Sequence, residues 1–412
     1  MERSRIDTSP VYERTRDIIL DVRDNGEEVF LNYYREHLKP SLSPEDLEVG
    51  EGEVEEAYRN LDSKVIDALR LAARHITAFH QAQMEKDMWI MEVTDGILAG
   101  RMTTPLHRVG AYIPGGRASY PSSVLMTLLP AKVAGVKEVI ICTPPQESMS
   151  LHPATIVAAD LAGPARMFKV GGPWAIASMA YGTQSIPRVD KIVGPGNKYV
   201  TAAKLMVFGE VDIDSPAGPS EGMVLADHTG NADFISIDLL SQAEHDPDAA
   251  AVLVTTSEDL AGKVSAMIDK ALPQLPREEI VGSSVRRHSH ILIAKDMDQA
   301  IGFVNDYAPE HLEIMTEDPF AMLKKIRNAG SIFMGPYSPI AVGDYASGTN
   351  HVLPTGRKAR IFSGLSVDEF LKKPTFQYVS RKGLSLLKET VVTLAQTEGL
   401  PLHARAVLER FK

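Results

Sequence analysis

The chain has 412 residues, 44% hydrophobic and 24% charged, enough for two or three compact units of ordinary globular composition. Its 43 Lys and Arg against 54 Asp and Glu give a formal charge of −11, and no basic run interrupts it, which excludes a protein that coats nucleic-acid phosphates. The charge-studded start MERSRIDTSPVYERTRDIIL lacks a signal-peptide core and nowhere do roughly 18 apolar residues run together; with a single cysteine, Cys142, a reduced, cytoplasmic protein with no membrane span is expected.

Helix-period apolar spacing covers residues 10–35 and 52–85, as in VIDALRLAARHITAFHQAQ, with the turn-rich KPSLSPEDLEVGEGE between them. From residue 108 strands and helices alternate. RVGAYIPGG is strand and turn, YPSSVLMTLLPAKVAG helix, KEVIICTPP strand, ATIVAADLAG helix, RMFKVGG strand and turn, PWAIASMAYG helix, and VDKIVGPGN strand and loop. Cys142 lies in the KEVIICTPP strand and reads as buried rather than nucleophilic, because apolar burial raises a thiol's pKa. After DSPAGPSE the alternation resumes: ADFISIDLLSQAEHD helix, AAVLVTT strand, SEDLAGKVSAMIDKAL helix, then the strands HILIA, EIMT and SIFMG with helices between. DEFLKK and a helical tail from about residue 382 end the chain. Such βαβ alternation predicts an α/β fold: two Rossmann-like parallel-sheet domains with small helical N- and C-terminal extensions. The expected boundaries are an N-terminal extension over 1–12, a discontinuous first α/β domain over 13–94 and 221–365, a second over 95–220, and a C-terminal helical tail over 366–412.

Several segments have residues suited to chemistry. In LLSQAEHD, Gln242 and His245 are three apart on a predicted helix, where both could approach one cation or simply form a polar helix end. The loop SPIAVGDYASGTNHVLPT holds Asp344 and His351, which would need a metal, charge or ligand if buried. TEGLPLHARAV offers Glu398 and His403 on an amphipathic helix. Two His, an Asp and a Gln oxygen form a mixed N/O set suited to Zn²⁺, without excluding Mn²⁺ or Co²⁺. RRHSH at 286–290 has metal-like spacing, but two arginines repel a cation and a solvated strand entrance is expected there. VGPGNKYVTAAKLMV and RVGAYIPGG are strand-to-turn junctions able to meet a nucleotide, although neither is GxGxxG and a plain tight turn is equally compatible. In NDYAPEHLEI, Pro309 suits the first position of a helix, which would put Glu310 and His311 in its first turn and keep the imidazole neutral as a general base. On these residues alone a solvated surface pair is the other reading.

RVGAYIPGGRASYPSSVLM, VDKIVGPGNKYVTAAK, SPAGPSE, LLSQAEHD, YAPEHLE, AGSIFMG, GDYASGTNHVLPT and EGLPLHARAV occur together in the order and spacing of histidinol dehydrogenase, and from about residue 10 to 410 the chain resembles that family. The resemblance implies a zinc- and NAD-dependent enzyme that oxidises L-histidinol to L-histidinal and then to L-histidine at one site. It implies metal ligands Gln242, His245, Asp344 and His403, and an acid–base pair Glu310 and His311. Substrate contacts would come from Ser220, His311, His351, Glu398 and the ligands themselves, and NAD contacts from Tyr112 and Asn197. It further implies a homodimer in which His403 and Glu398 complete the partner's site. The metal and catalytic residues would then lie on the first α/β domain and its extension, and the NAD contacts on the second.

Two positions depart from the family pattern. Trp174 stands where Gln is usual, and an indole cannot replace an amide acceptor. Ile340 stands where Glu is common, which removes a carboxylate beside the proposed metal loop. The alternative function is a relative on the same scaffold that oxidises another polar primary alcohol, such as a sulfonated propanediol; Glu398 speaks against it, since a carboxylate suits an ammonium and repels a sulfonate.

Overall fold

The computed structural model describes residues 7–115, 119–163 and 165–412. Residues 1–6 of the expected N-terminal extension, Gly116 of the expected turn, Arg117, Ala118 and Pro164 lie outside the described residues. The chain divides into two compact units, one built from residues up to Gln83 with Leu106–Phe370, the other from Met84–Pro105 with Leu371–Lys412.

The first unit opens with helices α1 (Tyr12–Asn25), α2 (Glu28–His37), α3 (Glu51–Asn60) and α4 (Ser63–Gln81). In α4, Asp62 caps the start by accepting from Lys64 N, and Ile66, Leu69, Ala72 and Ile76 recur at helical spacing to form the buried stripe. Strands β1 (Met88–Thr94), β2 (Ile97–Met102) and β3 (Thr104–Pro105) then belong to the second unit. The first α/β alternation follows in order: β4 (Arg108–Tyr112), α5 (Pro121–Val133), β5 (Glu138–Cys142), α6 (Pro153–Ala162), β6 (Arg166–Phe168), α7 (Gly172–Tyr181), β7 (Lys191–Val193), α8 (Lys198–Val207) and β8 (Asp212–Ile213). Its strands pair in parallel in the order β6-β5-β4-β7-β8.

The second alternation runs β9 (Glu221–Ala226), α9 (Ala232–Ala243), β10 (Ala250–Thr255), α10 (Glu258–Ala271), α11 (Glu278–His288), β11 (His290–Ile293), α12 (Met297–Tyr307), β12 (His311–Met315), α13 (Pro319–Leu323) and β13 (Ser331–Met334). Its parallel order is β11-β10-β9-β12-β13, the same sequence of crossovers as in the first sheet, so two Rossmann-like halves are present as expected. A short helix α14 (Ile340–Tyr345) follows. Every residue of β9, β10 and β12 is buried, the continuous pattern of parallel strands covered on both faces. Met223, Leu225, Leu312 and Ile314 face a cluster that includes Ala300 and Val304 of α12. Val224, Ala226 and Met315 face Ile235 and Leu239 of α9. By strand alternation His311 and Glu313 share the α9 face with Met315.

The second unit is more than a helical tail. β1 and β2 form an antiparallel hairpin, β15 (Thr375–Val379) pairs with β2, and β14 (Leu371–Lys372) pairs with β3. Residues 84–94, expected in the first α/β domain, therefore join residues 371–412, where helices α15 (Arg381–Thr397) and α16 (Pro401–Leu408) complete the unit. No helix among the described residues is long and apolar enough to cross a membrane.

Candidate active site

Glu310 and His311 do not start a helix. Pro309 ends the turn after α12, Ala308 takes a left-handed conformation (φ 51), and His311 is the first residue of β12. Proline disfavours helical backbone in the residue before it, and the apolar residues that follow it alternate across the sheet. The helix dipole invoked to keep His311 neutral is thus absent.

The amino ends of β9 and β12 lie side by side, with His311 in register with Gly222. Helix α9 returns along the sheet and sets Gln242 over this edge. A Cβ on Gly222 would come within 2.6 Å of Gln242 Cγ, so only glycine leaves room for the amide arm. Gln242 Nε2 donates to Ser220 Oγ at 2.8 Å, and Ser220 Oγ donates to Glu310 Oε2 at 2.8 Å. The Glu221 N–H donates to the same carboxylate oxygen at 2.8 Å. Gln242 Oε1, by contrast, is buried without a hydrogen-bond partner.

His311 is 3% exposed and lies between two carboxylates. Nδ1 is 3.6 Å from Glu310 Oε2 and 3.3 Å from the Glu221 carbonyl oxygen. Nε2 is 3.5 Å from Asp344 Oδ1, too long for a good hydrogen bond, and otherwise unpartnered. Burial works against a charged ring here, but Glu310 and Asp344 outweigh it and lift the imidazole pKa to about 9. Burial pushes Glu310 up to about 7, with His311, the Glu221 N–H and Ser220 restraining the rise. Asp344 goes the other way: burial is overcome by His311, His351 and His245, and its carboxyl is held below the usual range.

His351 is fixed at both nitrogens, Nδ1 by the Asp344 carbonyl oxygen at 2.8 Å and Nε2 by Ser123 Oγ at 3.1 Å. Ser123, in α5, was not singled out in the sequence, although it lies inside the YPSSVLM motif. His245 stands just beyond the end of α9, exposed, with its backbone N–H turned to the Gln242 carbonyl. Ser220, Gln242, His245, Glu310, His311, Asp344 and His351 all belong to the first unit; Glu398, at the end of α15, and His403, in α16, are exposed residues of the second. Among the described residues no three His, Cys, Asp or Glu side chains form a metal-holding group. RRHSH spans the end of α11 and the start of β11.

Tyr112 and Asn197 mark a different crevice. They lie at the carboxyl ends of β4 and β7, the adjacent strands where the first sheet's order reverses, the usual ligand position in such sheets. Tyr112 is buried and its hydroxyl accepts from Gly172 N at 3.2 Å. Asn197 is exposed and caps α8, its Oδ1 accepting from Tyr199 N and Val200 N at 3.0 and 3.2 Å. Gly194, at φ 113, packs its α-carbon against the Tyr112 carbonyl, leaving no space for a side chain. Trp174 packs its indole on Tyr33, with ring centres 4.8 Å apart, and edge-on to Tyr34. Ile340 is buried, and its N–H donates to Glu313 Oε1 at 2.8 Å, so a carboxyl group from β12 meets the backbone at this position. Cys142 is fully buried, with its thiol pKa pushed up by burial.

The histidinol dehydrogenase family model matches residues 1–411. The histidinol dehydrogenase of Methanothermobacter thermautotrophicus is 49% identical over 412 residues, covering 100% of this chain and 96% of its own. That of Methanosarcina mazei is 51% identical over 394 residues, covering 96% and 90%. The crystal structure of histidinol dehydrogenase from Elizabethkingia anophelis superposes with a TM-score of 0.94 at 39% identity, covering 100% of this chain and 94% of that one. These likenesses favour the histidinol reading over the sulfonated-propanediol alternative. The chain belongs to the histidinol dehydrogenase family of oxidoreductases and so to histidine biosynthesis.

Proposed function

We propose that the protein carries out both NAD-linked oxidations of L-histidinol, through L-histidinal to L-histidine, at one zinc site on the amino edge of the second sheet. The observation that carries this reading is the convergence of Ser220, Gln242, Glu310, His311 and Asp344, with two buried polar atoms, Gln242 Oε1 and His311 Nε2, left without partners. A buried orphan oxygen costs free energy unless a ligand satisfies it. Gln242, whose nitrogen is spent on Ser220, offers that oxygen to a cation, beside the Asp344 carboxylate and His245. This N/O set suits zinc. The fourth ligand, His403, and the substrate contact Glu398 come from the C-terminal helices of a second copy in a cytoplasmic homodimer.

When bound, zinc supplies a template for the imidazole and amine nitrogens of the substrate. His311, whose neutral form is the minor one near pH 7 given a pKa of about 9, would take the hydroxyl proton in that form as the carbinol carbon gives up its hydride to bound NAD⁺. The flanking carboxylates of Glu310 and Asp344 stabilise the imidazolium so formed. In the second oxidation Glu310, held in place by Ser220 and the Glu221 N–H, takes a proton from the water that adds to the aldehyde. His351, clamped by Ser123 and the Asp344 carbonyl, lines the substrate side. Tyr112 and Asn197 mark the dinucleotide crevice; the Asn197 side chain is half committed to capping, so its amide NH₂ and the start of α8 are what it offers to NAD.

The test is direct. Zinc-loaded protein with NAD⁺ and L-histidinol should form two NADH per histidinol, and a chelator should abolish it. Absence of NADH from histidinol in the zinc-loaded protein would overturn the reading.

A further inference from the structure

We propose that the carboxyl pair formed by buried Glu313 and half-buried Asp238 is a positioning device for the active site, tying β12, α9 and α14 together so that His311, Gln242 and Asp344 keep one geometry; this rests on the zinc reading above. Each of the three elements carries one of those residues. Glu313 follows His311 by two on the same face of β12. Asp238 precedes Gln242 by one helical turn on α9. The Ile340 N–H, which donates to Glu313 Oε1 at 2.8 Å, opens α14, whose fifth residue is Asp344.

Glu313 is 1% exposed within a layer otherwise formed by Val224, Ala226, Leu239 and Met315. A carboxyl group in such a place is costly unless something uses it. One oxygen caps α14. The other finds no N–H or hydroxyl donor, and what meets it is the Asp238 carboxyl. Two carboxyls in contact cannot both ionise cheaply, so a proton lies between them. Burial lifts both carboxyls above the usual range, so near neutral pH the pair holds a proton that one oxygen donates to the other. The pair therefore acts as a hydrogen-bonded strut from strand to helix α9, and its free acceptor orients helix α14. Neither contact involves a residue placed in the metal or substrate set, so Glu313 and Asp238 act through the residues they position.

Zinc affinity of the full chain, measured with Zn²⁺ by chelator competition, separates the possibilities. The parent should bind one zinc per subunit and H245A should lose it; retention of tight zinc by H245A would sink the zinc reading itself and not the strut. Against that control, E313L and D238L should bind zinc about tenfold to a hundredfold more weakly, as loss of an orienting partner does. E313Q and D238N, whose amides can still bridge strand and helix, should keep parental affinity. D238L, at a half-buried helix position, carries the test if E313L fails to fold. Parental zinc affinity in the leucine variants, or amide variants as weak as the leucine ones, would overturn the proposal.

Discussion

Glu310 and His311 are consecutive in the chain with their charged atoms 3.6 Å apart, yet separate partners hold them. Glu310 Oε2 is fixed by Ser220 and the Glu221 N–H, while the His311 ring lies between the Glu221 carbonyl and Asp344. Either can be altered without releasing the other. H311N keeps a smaller polar amide near the Nδ1 position but cannot hold the transferred proton. It should lower kcat for histidinol by about 10²–10⁴ with the KM for NAD little changed. A variant within a few fold of the parent in steady-state NADH formation would remove His311 from proton transfer.

Replacing Glu310 tests the second oxidation alone. E310Q retains an acceptor for Ser220 but cannot take a proton from water, so histidinol should yield one NADH in a rapid phase and the second only slowly. The parent's oxidation of histidinal needs ionised Glu310, and burial raises that pKa to about 7. Its rate should therefore fall as pH drops below about 7, and E310Q should lose that limb. Equal slowing of both half-reactions would contradict the division of labour.

Most of the fold was legible because parallel strands buried on both faces read as short apolar runs between amphipathic or apolar helices. β9, β10 and β12 show this plainly. The hairpin β1–β2 was not legible: all seven residues of β1 are exposed, including Met88, Trp89, Ile90 and Met91, so no inside–outside alternation marks it. Its third strand, β15, is supplied from over 270 residues later in the chain. Pro309 misled because proline suits a helix start as well as an extended turn, and only pairing of His311 with Gly222 and Ser331 decides between them. The proposed ligands Gln242, His245 and Asp344 could be named from motifs. Ser123, Glu221, Glu313 and Asp238 could not, since their roles are contacts between elements far apart in sequence.

Gly222 makes a clean test of the Gln242 geometry. A methyl in G222A would fall 2.6 Å from Gln242 Cγ and 3.0 Å from Oε1, forcing the amide arm off the strand. Zinc affinity should drop about tenfold to a hundredfold, as for a displaced ligand support. Far-ultraviolet circular dichroism should be unchanged, because the backbone at Gly222 has no positive φ to lose. Unaltered zinc binding in G222A would mean that Gln242 is not a ligand.

Glu313 also gives stability a pH slope. Its folded pKa of about 8 exceeds the ordinary 4.5, so the native state binds the proton more tightly than the unfolded chain. The associated stability is full below about pH 4.5 and is lost as pH rises through about 8. Urea unfolding between pH 5 and 8.5 should show stability declining across that range for the parent and a flatter line for E313Q, where the amide cannot ionise. An identical slope in both proteins would show that Glu313 titrates normally.

The last test concerns the dinucleotide crevice. Lys204 of α8 and Asp214, just past β8, form a buried ion pair that grips one residue, Gly194, from both sides. Asp214 Oδ2 accepts from Gly194 N at 2.6 Å, and Lys204 Nζ donates to Gly194 O at 3.1 Å. Burial favours a neutral Asp214 and Lys204 opposes it, so the carboxylate depends on its partner. K204M removes that partner and strands a charge, at a cost of about 3–5 kcal/mol by analogy with other broken buried pairs. K204M/D214N, which removes both charges, should recover much of that stability in denaturant unfolding. Both variants release the Gly194 loop, so each should raise the KM for NAD more than the KM for histidinol. A double variant that regains stability while keeping a parental KM for NAD would show that the pair serves folding and leaves the cofactor loop alone.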